Sequence, residues 1–173
     1  MTAINRAAAQ RAPDTSTSPS PLHRPAQSGA TYRGPGDVYR FLVTGAESGG
    51  AYFAMEAIVA PGGGPPPHLH RHEDETFYVV EGECRILLAD ETVTARAGDF
   101  VSVPRGTVHR FHNHGAEPMR MILTFTPAGI EGFFAETLEP ALGEGRDVPD
   151  DVDAVAARYA AAAPRYGIEF VDG

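Results

Sequence analysis

The sequence predicts an all-β fold, a small antiparallel sandwich or barrel, on three observations. Apolar and polar residues alternate in run after run. Each run is short, and each is bounded by Gly, Pro, Asp or Asn rather than joined to the next by a helix. The 19 Gly and 15 Pro in 173 residues supply the turns. A chain of this length suits one domain with tails, and its core is large enough for a single closed sheet.

Residues 1–36 are expected to form a flexible N-terminal arm, because "RAPDTSTSPSPLHRPAQSG" is rich in Pro, Ser and Thr and cannot bury a face. Residues 37–127 carry the strands. "VYRFLV" sets Tyr39, Phe41 and Val43 at period two, and "AYFAMEAIVA" does the same with Phe53, Met55, Ala57 and Val59 while Glu56 faces away. "ETFYVVEGE", "RILLA", "TVTARAGDFVSVP", "VHRFHNHG" and "RMILTFTP" continue the pattern. Residues 128–173 form a helical extension expected to pack on the barrel and cover one mouth or a dimer surface. "GIEGFFAETL" groups Ile130, Phe133, Phe134 and Leu138 on one side of a short helix. In "PDDVDAVAARYAAAA", Pro149 and the Asp residues suit a helix start, and Pro164 ends the helix. Ile168, Phe170 and Val171 then pin the tail.

Composition narrows the function. A net charge of −9 and a pI near 5.2 argue against nucleic acid or an anionic membrane as partner. All 14 basic residues are Arg, so lysine Schiff-base chemistry is excluded. The single Cys84 forms no internal disulfide, which makes a reducing cytoplasm the expectation, and Cys84 is read as a packing residue. No apolar run approaches membrane-spanning length.

The chemistry concentrates in "HLHRHEDETF". On a strand, His68 and His70 point to the same side. Glu75 joins them only if the chain turns between His70 and Glu75, and the polar "RHED" suits that turn. Glu75, Phe77 and Val79 then share a face, while His72, Glu73 and Asp74 belong to the hinge and His72 points to solvent. Downstream, Pro104 and Gly106 mark a turn and His109 opens the next strand with Phe111 on its face. His112, of opposite parity, and His114, at a turn, are expected on the surface with Arg110 and Arg120. Three imidazoles and one carboxylate suit Fe, Ni, Mn, Cu or Zn. Without a metal they would bury four polar groups that need partners.

The spacing Gly62, His68, His70, Glu75, Gly82, followed by Gly98, Pro104, Gly106, His109, Asn113, resembles the two signature motifs of the cupin superfamily. The resemblance spans roughly Tyr39 to Pro127, and the surroundings are similar to small single-domain bacterial cupins of the quercetinase-like type. It implies a small jelly-roll barrel holding one divalent transition metal per chain on His68, His70, Glu75 and His109, and a homodimer. Gly82, Gly98, Pro104, Gly106 and Asn113 become scaffold positions.

The implied activity is a dioxygenase acting on a flavonol-like, enol or phenolic small molecule. Glu75 takes the hydroxyl proton of a substrate acidified by the metal, and dioxygen is the second substrate. The alternatives are a non-redox isomerase, cyclase or lyase of secondary metabolism, and a non-catalytic small-molecule binder. The metal-facing parity nominates Phe53, Met55, Phe77, Val79, Phe111, Met121 and Leu123 as substrate-binding residues, with Tyr39 and Phe41 closing the mouth. No acid or base besides Glu75 is expected in the pocket.

Overall fold

The computed structural model describes residues 19–141 and 152–171. Twelve strands run in chain order: β1 (Thr31–Arg33), β2 (Asp37–Val43), β3 (Phe53–Val59), β4 (His68–His70), β5 (Asp74–Glu81), β6 (Glu83–Leu88), β7 (Glu91–Arg96), β8 (Phe100–Val103), β9 (His109–His112), β10 (Met119–Thr126), β11 (Glu139–Pro140) and β12 (Ile168–Phe170). They form two antiparallel sheets, ordered β11-β1-β2-β3-β10-β5-β8 and β12-β4-β9-β6-β7. Among the described residues three α-helices accompany them: α1 (Gly45–Ser48), α2 (Glu131–Thr137) and α3 (Val152–Ala162).

The alternation in the sequence becomes the core between the sheets. Phe53, Met55, Ala57 and Val59 of β3 are fully buried. They pair in register with β10, so that Phe125 lies opposite Phe53, Leu123 opposite Met55 and Met121 opposite Ala57. Glu56 faces outward, where Arg40 grips it at 2.6 Å. Two glycines enforce close turns. Gly82, at φ 81° between β5 and β6, would set a Cβ 2.9 Å from that of Met119. Gly64, at φ 130°, brings its loop so near β9 that a Cβ would sit 2.2 Å from the Phe111 carbonyl oxygen.

The expected boundaries shift at both ends. The arm of residues 1–36 contains a strand: Thr31–Arg33 pairs with β2 and with β11. A three-residue strand is too short to show periodicity. The segment before it is also anchored, since Arg24 donates to the Leu42 carbonyl at 3.0 Å and to Glu47 at 2.6 Å. Residues 1–18 lie outside the described residues, as do Pro149, Asp150 and Asp151, expected to start α3; Asp153 lies in the first turn of that helix. Two strands, β11 and β12, fall beyond residue 127 and join the sheets. The α-helix ends at Ala162, just before Pro164 as expected, and the chain continues through a 3-10 turn, Ala163–Tyr166, closed by Gly167 at φ 66°. Cys84 is buried, and burial followed by the charge of Glu83 pushes its thiol up to about 11. Among the described residues no helix is long and apolar enough to cross a membrane.

Candidate metal centre

Two sheets meet at one group of side chains. β4 and β9 lie side by side, with His68 opposite His109. His70 projects to the same side as His68, and their rings lie 4.5 Å (His68 to His109), 4.9 Å (His68 to His70) and 5.3 Å (His70 to His109) apart, centre to centre. Glu75 comes from β5, in the opposite sheet. The turn between His70 and Asp74 therefore carries the chain across the barrel rather than to a neighbouring strand. One ligand atom from each of His68, His70, Glu75 and His109 falls within 4.8 Å of all the others. All four residues are buried, His68 being the most exposed at 8%.

The donor chemistry fits a divalent metal. His68 Nδ1 donates to the Pro66 carbonyl and His109 Nδ1 to that of Thr107, both at 2.9 Å, so each ring turns Nε2 inward. His70 is the strongest sign: both its ring nitrogens are buried without a hydrogen-bond partner. Its Nε2 lies 3.2 Å from Glu75 Oε2, but not in hydrogen-bonding alignment. An orphaned imidazole costs desolvation energy that a metal bond would recover.

Electrostatics agree. Burial, reinforced by the neighbouring His109 and His70, pulls His68 down to about 3, keeping it neutral and able to ligate. Burial opposes ionisation of both Glu75 and His109, yet their 2.7 Å contact, with His70 also beside Glu75, outweighs it: Glu75 falls to about 2 and His109 rises. A metal bound there would compete with protons for these groups.

The other residues of the motif have separate roles. His72 is exposed and packs against Gly167. Asp74 accepts from the Arg105 guanidinium at 3.0 Å and from its backbone at 2.9 Å, pinning the turn. Glu73 lies in the hinge as expected and is itself buried there, and burial raises its carboxyl. Asn113 donates to the Val59 and Glu117 carbonyls and accepts from Gly115, bracing the end of β9. His114 is exposed near Glu83, and His112 is half-buried on the outer face opposite Arg85.

Above the four ligands lies an apolar cavity of about 50 Å³, room for a few water molecules. Of the residues nominated from parity, Met55, Phe111 and Leu123 line it, and so does Tyr39. Phe53, Phe77, Val79, Met121 and Phe41 do not; they are core residues, although Phe53, Phe77 and Phe41 lie opposite Phe125, Leu123 and Met55 in the sheet. Parity gives the face a side chain occupies, not which side chains on that face border a cavity. The wall instead uses Phe125, one step beyond Leu123 at the same parity, with Ile130, Phe133 and Phe134 from α2 and its approach. Tyr159 of α3, and Ile168 and Phe170 of β12, complete it. The grouping of Ile130, Phe133 and Phe134 signalled these contacts in the sequence, as did the apolar Ile168 and Phe170 expected to pin the tail.

A model of the cupin domain matches residues 55–125. Polyketide synthase CurC of Streptomyces cyaneus is 34% identical over 117 residues, covering 65% of this chain and 69% of that protein. The chain belongs to the cupin superfamily. Quercetin 2,3-dioxygenase of Aspergillus japonicus is 34% identical to this cupin over 104 residues, but the match spans 56% of this chain and 29% of that enzyme. The fold is similar to that of a solved RmlC-like cupin from Shewanella frigidimarina, with a TM-score of 0.55 at 23% identity over 64% of this chain and 94% of the other.

Proposed function

We propose that this cupin is a metal-dependent enzyme that activates an enol or phenol group of a polyketide-derived aromatic small molecule. The observation that carries the reading is the orphaned, buried His70 among three further ligands beneath an apolar wall. The similarity to CurC, which extends over more than two thirds of that protein, supports the substrate class. When bound, a divalent metal supplies Lewis acidity, lowering the pKa of a substrate hydroxyl.

The chain's own residues do the rest. His68, His70 and His109 hold the site, with two of the three rings oriented by backbone carbonyls. Glu75, held near pKa 2, stays ionised and is a weak base, matched only to a hydroxyl already made acidic. Phe111, Leu123, Phe125 and Phe134 exclude water around the reacting group. The leading reaction class is non-redox: isomerisation, cyclisation or dehydration of the enol.

A second reading, dioxygenation of a flavonol-like substrate, is favoured by the likeness to quercetin 2,3-dioxygenase. Metal analysis joined to turnover with and without oxygen separates the two. About one divalent metal per chain and unchanged anaerobic turnover of a polyphenolic substrate supports the first; strict oxygen consumption supports the second. Full activity in protein stripped of metal refutes both.

A further inference from the structure

The metal cavity is too small for the substrate proposed above. About 50 Å³ admits one reacting oxygen and its carbon, not an aromatic ring system. A second cavity of about 390 Å³ adjoins it under α3, within the range of small-molecule sites. The two share Tyr39, Pro65, Tyr159 and Phe170 in their walls. The larger cleft is a slit between Gly64, Pro65 and Pro66 on one side and the Ala156 and Ala160 face of α3 on the other. Tyr39, Tyr159 and Phe170 add aromatic rings to its wall.

One polar pair stands at the junction. Tyr39, 7% exposed, donates its hydroxyl hydrogen to Asp37 Oδ2 at 3.1 Å, and Asp37 is 6% exposed. The other Asp37 oxygen accepts from the Ala60 backbone at 3.1 Å. Asp37 thus fixes the direction of the Tyr39 hydroxyl. Its proton is committed, and its oxygen keeps acceptor capacity toward the cavities it lines. A group that completes this arrangement must be a hydrogen-bond donor.

We propose that the cleft under α3 is the second half of the substrate site, holding the planar body of a hydroxylated aromatic molecule, and that Tyr39, positioned by Asp37, accepts a hydrogen bond from a substrate hydroxyl where the two halves meet. The inference rests on the functional reading above for the location of the reacting group. It adds the place where the rest of the molecule lies and the group that selects a hydroxyl.

The test is binding of quercetin and of its fully O-methylated derivative to the metal-loaded protein, followed by fluorescence quenching, beside metal content and thermal melting. Ala156→Trp fills the slit from an exposed helix position and should weaken quercetin binding tenfold or more with metal content unchanged. Ala157→Trp, also exposed but off the slit, should bind as wild type does. Tyr39→Phe should weaken quercetin about tenfold and leave the methylated derivative within twofold. Wild-type affinity in Ala156→Trp, or no quercetin binding by the wild-type protein, overturns the cleft assignment. Equal losses for both ligands in Tyr39→Phe overturn the hydrogen bond. Metal-dependent turnover that survives Ala156→Trp unchanged refutes this inference alone, whereas slit binding without turnover of any polyphenol refutes the proposed activity alone.

Discussion

Replacing Asp37 by Asn should make the protein more stable at neutral pH, although it removes a buried, hydrogen-bonded side chain. Burial is the largest influence on this carboxyl and lifts it from 3.8 to about 6, against the opposing pull of the Ala60 and Tyr39 hydrogen bonds. The folded state therefore holds the proton more tightly than the unfolded chain does. Below pH 3.8 both states are protonated and no penalty applies. Between about pH 4 and 6 the unfolded chain loses its proton first, and stability falls; above 6 the penalty is constant. The gap between 3.8 and about 6, at roughly 1.36 kcal/mol per pH unit, sets that penalty at up to about 3 kcal/mol. Asn carries no charge, keeps an acceptor for the Ala60 N–H and places an amide where Tyr39 can accept. Urea melts at closely spaced pH values, in excess chelator so that metal binding does not contribute, measure the difference. The Asp37→Asn protein should match wild type near pH 4 and exceed it by up to about 3 kcal/mol at pH 7.5. Parallel stability curves across this range would refute the assignment of a strained, buried carboxylate at this position.

Other consequences are equally open to measurement. His70→Ala and His109→Ala should each lower metal content to a small fraction of one equivalent, read by elemental analysis. His72→Ala and His112→Ala should leave it within error, because neither ring is among the four converging ligands. Phe125 stacks on Phe53, with ring centres 5.8 Å apart, and meets His70 edge-on at 5.6 Å. Phe125→Ala should therefore cost about 3–5 kcal/mol in denaturant melts and loosen metal retention as well.

Much of this was legible in the residues, for identifiable reasons. Period-two alternation is set by backbone geometry, so β3, β5 and β10 could be read directly, and the parity of His68, His70 and His109 followed. The sheet that each strand joins was not legible: β4 and β5 are separated by three residues yet lie in opposite sheets. Nor was the extent of the cavity across a face: Phe53, Phe77, Val79 and Met121 share the inner face with Met55, Phe111 and Leu123, yet the cavity reaches only the latter three of these seven. Asp37 escaped notice because an acid at the start of a strand ordinarily faces water. Its close contacts with Tyr39, Ala60 and Gly63 bury it.

The C-terminal strand ties the end of the chain to the ligand strand. β12 sets Ile168 opposite His70 and Phe170 opposite His68, and the Gly167 carbonyl accepts from the Arg71 backbone N–H. The same tail begins with α3, which roofs the slit, and only the 3-10 turn and Gly167 separate the helix from the strand. Roof and ligand strand are thus one mechanical unit. A C-terminal truncation, or a fusion partner that pulls β12 away, would lower metal affinity by unseating His68 and His70 while changing no ligand residue. An affinity tag belongs at the other terminus.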